Sequence, residues 1–259
     1  HAGQVSHRGR GPAHRPAMIL YATLALCAAV TGVVVYRYDL YDREPWWLLG
    51  VCAALAAGAM TTAGRLESLL FRSWTAPGDA ATALLAAALE ELAKLGVVAA
   101  IALVDRRDFN DPLDGLVYGS MAGLGAAVEE SAAFLRGASH APALLPGSEV
   151  VRIAGHLVMG GIGAFGLGAL RLGRRRAWAW LVFGLAAAVA LHFLWDWMSL
   201  RSVTPRSTAD TLRAAGLMLV GLALWRRLVT LGLSWSEAVF ASGPHDRSIG
   251  AGCEKRDAA

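Results

Sequence analysis

Long apolar stretches with almost no charged residues constrain this chain more than any other feature. The first runs from Ala17 to Val35 without a charge, and six further apolar stretches follow it through the 259 residues. Hydrophobic residues make up 56% of the chain and charged residues only 17%, a balance that soluble domains rarely have. Because about 20 apolar residues in a helix cross the hydrocarbon of a bilayer, the sequence predicts a multi-span membrane protein.

The predicted fold is an all-α, polytopic transmembrane bundle of about seven spans, with no sizeable soluble domain. Residues Leu66 to Trp74 alternate apolar and charged side chains at helical spacing, which is typical of an interfacial helix, with a plain loop as the alternative. The spans are predicted at Ala17 to Val35, Trp46 to Ala63, Ala80 to Val104, Asp114 to Leu135, Val150 to Leu170, Ala177 to Leu200 and Leu212 to Leu231.

Polar segments flank the predicted membrane-embedded bundle, which covers residues 17 to 232. Residues 1 to 16 are expected to be a disordered tail or a remnant of processing, and residues 233 to 259 a polar C-terminal tail. The net charge of +4 comes from arginine clusters at the ends of apolar stretches. These clusters are typical of topology signals, so no nucleic-acid partner is expected.

The arginine clusters also predict an orientation in the membrane. In a seven-span arrangement, the clusters at positions 106 to 107, 174 to 176 and 226 to 227 all lie on the side opposite the N-terminus. Arginine-rich short loops stay in the cytoplasm, so this side is expected to be cytoplasmic. The chain is therefore predicted to be an integral, multi-pass protein of the cell membrane.

A small set of ionisable residues lies inside the apolar stretches. A charge at the centre of a bilayer costs about 2.5 to 3.5 kcal/mol on insertion scales, so such charges are expected to pair internally or to take part in chemistry. The set consists of Glu90, Glu91, Lys94, Glu129, Glu130, His156, His192 and Asp196.

Helical spacing pairs several of these residues. Glu90 and Glu91 precede Lys94 by four and three positions, so both carboxylates can reach the same ammonium. His192 and Asp196 are also four residues apart, so the carboxylate can orient the imidazole and fix its tautomer. Either pair taken alone is more typical of a structural role than of a catalytic one.

Groups on four different spans are predicted to lie at one depth. Neighbouring spans run in opposite directions, and a helix rises by about 1.5 Å per residue. Measured from the N-terminal side, Glu90 and Glu91 then lie at about 15 Å, Glu130 at about 8 Å, His156 at about 9 Å and His192 at about 12 Å. This shared layer predicts a single polar site in the outer half of the membrane.

The ordered set of polar motifs resembles the PrsW family of intramembrane proteases, which is related to the type II CAAX prenyl endopeptidases. No single motif is specific, but their order on four spans is. The motifs, over roughly residues 38 to 200, are Tyr41-Asp42-Arg43-Glu44-Pro45, Glu90-Glu91-x-x-Lys94, Asp114-Gly115-x-x-Tyr118-Gly119 continuing to Glu130, then His156, and His192-x-x-Trp195-Asp196.

The resemblance implies an endopeptidase that cleaves single-span membrane proteins near the membrane surface, with a membrane-bound anti-sigma factor as one such substrate. Ser131 and Asp196 stand where the family usually has Asn. An ionised Asp cannot donate to an oxyanion, so Asp196 is expected to orient His192 instead. The catalytic residues implied are Glu90, Glu91, His156, His192 and Glu130, with Lys94, Asp196 and Asp114 in support, Asp114 most simply as a helix N-cap.

Carboxylates and imidazoles can supply the chemistry of peptide hydrolysis, which needs a base to activate water, a donor to the oxyanion and an acid for the leaving amine. Glu91 or Glu90 is the expected base, with His156 and His192 orienting the water or polarising the carbonyl. Catalysis without a cofactor is expected. The alternative is Zn²⁺ held by Glu91, His156 and His192, although the zincin motif is absent.

Two further functions are compatible with intramembrane charges. Transporters and proton pathways also use Glu, Lys and His, but a relay should step across the membrane, whereas these groups occupy one half of it. A catalytically silent membrane scaffold is the other alternative, and the intact motifs argue against it. The expected partners are the lipid bilayer and a single-span protein substrate.

Overall fold

α-Helices form every regular element in the residues that the computed structural model describes, which are 14–37, 43–74, 78–137, 144–200 and 208–241. Within these ranges the predicted all-α bundle is confirmed. In chain order the helices are α1 (His14–Tyr36), α2 (Trp46–Ser73), α3 (Asp79–Val104), α4 (Asp114–Gly137), α5 (Gly147–Arg171), α6 (Ala177–Leu200) and α7 (Thr208–Ala241).

α2 is longer than the sequence predicted. It has 28 residues and continues through Leu66 to Ser73 without a break. The separate interfacial helix predicted for Leu66 to Trp74 is therefore wrong, since this stretch is the polar end of α2. The reason is that nothing in residues 64 to 73 ends a helix, because the segment contains neither a proline nor a run of turn-forming residues.

α7 also runs past its predicted end and reaches Ala241. Ser236 is fully buried and donates a hydrogen bond to the Asp111 carboxylate, while the Trp235 ring lies 5.6 Å from that of Phe165. Trp235 and Ser236 therefore pack within the bundle, beyond the predicted tail boundary at 233. The rest of the predicted tails, residues 1–13 and 242–259, lies outside the described residues.

Five helices, α1, α2, α5, α6 and α7, are long and apolar enough to cross a membrane. α3 and α4, with 26 and 24 residues, have the length but carry ionisable side chains of the predicted site, three of which, Glu90, Glu91 and Lys94, lie in the apolar stretch of α3. The chain is an integral membrane protein, as the sequence predicted.

α5 is the central helix, and α4 packs on it in antiparallel orientation. A side chain at Gly119 or Gly123 of α4 would overlap the α5 backbone at Gly160 or His156. Because these glycines have no side chain, the two backbones meet directly, as small residues allow in membrane helices. This register places Arg152 and His156 of α5 beside the C-terminal half of α4.

Gly160→Ala is expected to destabilise the bundle by about 1 to 3 kcal/mol, because the added methyl group meets the carbonyl oxygen of Gly119. The matched control is Gly96→Ala on α3, where nothing lies within 4 Å of an added Cβ. Alanine favours helix over glycine, so the control should unfold no earlier than the wild type. Thermal unfolding in detergent measures both, and equal stability of the two variants would contradict this packing.

The ends of the helices opposite the predicted site are joined by polar contacts. Asp114 begins α4 and accepts hydrogen bonds from the backbone N–H groups of Asn110 and Asp111, both at 2.6 Å. Arg171 donates to the carbonyl oxygens of Phe109 and Arg106, both at 3.2 Å. The arginine-rich loops after α3 and α5 therefore lie on one face of the bundle, as the sequence predicted.

Candidate active site

Four helices bring acids and imidazoles together in the half of the bundle away from these loops. Glu90 and Glu91 come from α3, Glu130 from α4, His156 from α5 and His192 from α6. The rings of His156 and His192 meet edge to face, with centroids 4.9 Å apart. Both histidines are 1% exposed, so the polar cluster lies inside the bundle and does not face lipid.

Glu91 forms the deepest part of the cluster. It pairs with Lys94 one helical turn later, and its Oε1 lies 2.8 Å from Nδ1 of His192. Glu91 and Lys94 are each 2% exposed. The ammonium compensates the carboxylate, and the carboxylate in turn fixes the orientation of the His192 ring, as a buried partner does for a functional histidine.

Glu90 occupies a different position although it is the neighbouring residue. Its side chain is 13% exposed and its Oε2 lies 3.4 Å from Nε2 of His192, while Asp196 Oδ2 is 3.5 Å from the same nitrogen. Glu90 Oε2 is buried and makes no hydrogen bond. A carboxylate oxygen without a donor, beside two imidazoles, is therefore available to a water molecule or a substrate.

His156 lies between a cation and an anion. Its Nδ1 is 3.4 Å from Nζ of Lys94, and its Nε2 is 3.0 Å from Oε2 of Glu130. His156 Nε2 and Glu130 Oε2 are within ion-pair distance but make no hydrogen bond, because the angle at the donor or the acceptor is unfavourable. A small movement of either side chain would align the pair.

Arg152 is a member of the cluster that the sequence analysis did not select. It is 8% exposed, and its Nη1 lies 3.3 Å from carboxylate oxygens of both Glu130 and Glu149. Its guanidinium also stands 5.4 Å from the centre of the Phe134 ring. The spacing could have revealed it, because Arg152 lies one helical turn after Glu149 and one turn before His156.

A polar cleft of about 760 Å³ opens beside the cluster, between the C-terminal halves of α2 and α4. Glu90 and Glu130 line it from one side, and Glu67 lines it from α2. Glu67 was also not selected from the sequence, because it lies in the stretch interpreted as an interfacial helix. The cleft opens Glu90 and Glu130, the acids next to the buried imidazoles, to the outside of the bundle.

Comparison with known protein families agrees with this arrangement. The family model described as PrsW family intramembrane metalloprotease matches residues 44–225, more than two thirds of the chain. The chain belongs to the PrsW family. No curated protein and no solved structure matches it significantly.

Membership of the PrsW family makes the chain an intramembrane protease by family and raises the question of a metal. One ligand atom from each of Glu90, His156 and His192 lies within 4.8 Å of the other two. A carboxylate and two imidazoles are a donor set of catalytic zinc sites. The sequence predicted Glu91 in this set, but the structure brings Glu90 there, because Glu91 is paired with Lys94.

The structure gathers most of the residues predicted for the site of this PrsW-family chain. Asp114 is the exception, because it lies at the opposite end of α4, where its carboxylate accepts hydrogen bonds from the loop before the helix and does not act as the predicted N-cap. Glu129, next to Glu130, pairs at 3.8 Å with the exposed Arg136. The residues brought together are Glu90, Glu91, Lys94, Glu130, His156, His192 and Asp196.

Proposed function

We propose that the chain is an endopeptidase that hydrolyses peptide bonds of single-span membrane proteins in the outer half of the membrane. The observation that carries the proposal is the Glu90 carboxylate, whose Oε2 makes no hydrogen bond and lies beside two buried imidazoles at the wall of an open cleft. The cleft gives an extended peptide and a water molecule access to groups that lipid would otherwise cover.

Glu90 is the base in this proposal, and Glu91 positions His192. A general base must have a free oxygen within reach of a water molecule. Glu91 has Lys94 and His192 as partners, whereas Glu90 has an oxygen without a donor. Glu90 therefore accepts the proton as water attacks the carbonyl carbon, and returns it to the amine nitrogen as the C–N bond breaks.

His192 stabilises the tetrahedral oxyanion. Its Nδ1–H is donated to Glu91, so in the imidazolium form the second N–H, at Nε2, points to the side where Glu90 lies. An N–H donor held rigidly toward the developing negative charge lowers the barrier without reorganisation. Glu91 and Asp196 compensate the imidazolium charge, and Asp196 also orients the ring in the way that the sequence predicted.

Catalysis by a bound zinc ion is the alternative, because the family is described as a metalloprotease family. Zinc held by Glu90, His156 and His192 would polarise the scissile carbonyl as a Lewis acid. The donor types and their separations fit such an ion. The contact with Lys94 argues against a zinc ion at this site. An ammonium can only donate hydrogen bonds, so Nδ1 of His156, 3.4 Å away, must accept one. The proton of the neutral imidazole then lies on Nε2. A protonated Nε2 is not a metal ligand, and we propose catalysis without a metal.

The test is to incubate the purified chain, in lipid vesicles, with single-span membrane proteins and to identify the new termini by mass spectrometry. The resemblance makes a membrane-bound anti-sigma factor the first substrate to test. Cleavage is expected, and it should continue at an unchanged rate after treatment with 1,10-phenanthroline. Loss of activity that Zn²⁺ restores would establish a metal enzyme, since removal and resupply of a required metal act in this way.

A further inference from the structure

An apolar groove of about 580 Å³ lies between α1, α2 and α4. Gly32 of α1, Gly50 and Ala53 of α2, and Gly125 of α4 are among the residues that line it. α1 and α2 both pack on α4, and α2 also packs on α3. The groove is the space over α4 between α1 and α2.

The groove and the polar cleft follow the same face of α2. Gly50, Ala53 and Ala57 line the groove, and Thr61 and Gly64 line the cleft at positions that continue the helical spacing. On α4 the groove reaches Val128 and the cleft begins with the next residues, Glu129 and Glu130. The apolar groove and the cleft that contains Glu90 therefore lie end to end along α2 and α4.

We propose that the apolar groove holds the transmembrane helix of the substrate and leads its polar end into the cleft beside Glu90. This inference rests on the proposed function. Residues 46 to 57 of α2 span about 16 Å, roughly half of the hydrocarbon thickness, so the groove supports half of a substrate span. The other half must leave the helical path in the cleft, where an extended backbone becomes accessible to the base.

The composition of the groove favours a helix as the occupant. Small side chains on α1 and α2, among them Ala29, Gly50 and Ala54, let another backbone approach closely, and close packing is the main force that associates helices in lipid. The cleft that follows carries charges of both signs, with Arg65 and Arg72 beside Glu67. Such a lining fits a polar peptide segment better than it fits an acyl chain.

Photocrosslinking tests the position of the bound helix without requiring cleavage. The full chain with the substitution Glu90→Gln is reconstituted in phosphatidylcholine vesicles. Two versions are prepared, in which p-benzoylphenylalanine replaces Gly50 or Gly58. The probe is a biotinylated peptide with one span of alternating leucine and alanine and polar ends. Gly58 is the control because it lies on α2, outside the lining of the groove, and neither glycine has an atom within 4 Å of an added Cβ.

Crosslinking to the peptide is expected from position 50 and not from position 58. Equal yields from the two positions, or crosslinks from position 50 only to lipid or to a second copy of the chain, would overturn the proposal. The result does not depend on which bond is cut.

Kinetics provide the second measurement. Gly50→Leu places a side chain in the groove and should raise KM for a membrane-embedded substrate about tenfold with kcat unchanged, the pattern of lost ground-state binding. Gly58→Leu should change neither constant. An unchanged KM in Gly50→Leu refutes the docking inference alone, whereas absence of cleavage by the wild type refutes the proposed function.

Discussion

Glu90→Gln is expected to reduce kcat for substrate cleavage by about 10² to 10⁴, the range that general-base catalysis contributes. The amide has nearly the shape of the carboxylate but cannot accept the water proton. The bundle should remain folded, because Glu90 Oε2 makes no hydrogen bond that the substitution would break. The measurement is kcat in vesicles together with thermal unfolding of both proteins.

Asp79→Asn is the matched control for this prediction. It makes the same acid-to-amide change on the same helix, at an exposed residue of the first turn of α3. Its kcat should equal that of the wild type. Full activity of Glu90→Gln would remove Glu90 from the role of base and leave Glu91 as the remaining candidate on α3.

Lys94→Met is expected to lower the free energy of unfolding by about 3 to 5 kcal/mol, because it leaves the buried Glu91 carboxylate without its cation. Lys94 and Glu91 are each 2% exposed, so water cannot replace the lost partner. Methionine keeps the length and the apolar stem of the side chain, so the loss comes from charge and not from a cavity. Unfolding in a denaturing detergent, monitored by circular dichroism, measures the change.

The double variant Glu91→Gln with Lys94→Met separates charge compensation from other effects. Removing both charges should recover most of the lost stability, since replacing both partners of a buried ion pair is far less costly than removing one. Cleavage should stay low, because His192 loses the carboxylate that positions it. Equal stability of the single and double variants would show that Lys94 does not stabilise the fold through Glu91.

The sequence predicted the site from spacing and depth. Glu90, Glu91 and Lys94 fall within one helical turn, and regular helices have a fixed rise, so position in a span gives depth in the bilayer. That reasoning brought His156 and His192 to the layer of the acids, where the structure has them. It did not distinguish the two glutamates, because neighbouring residues point about 100° apart and only the surrounding helices decide which direction is the cleft.

Arg152 and Glu67 were missed for related reasons. Arg152 stands near the start of α5, where an arginine is typical of a membrane boundary, and only the contact with α4 turns it toward Glu130. Glu67 belongs to a stretch whose pattern fits an interfacial helix as well as the end of a span. Its position at the cleft follows from the uninterrupted course of α2.

The amino-acid sequence by itself determined the class of this protein, the approximate positions of the seven helices in the described residues and the residues that the bilayer forces to cluster, because hydropathy and helical geometry are local properties. Only the tertiary structure decided that Glu90 faces the cleft while Glu91 is buried with Lys94, and that α1 and α2 part to leave a groove above α4. Those outcomes depend on how helices distant in sequence rotate against one another, and glycine contacts between α4 and α5 set that rotation.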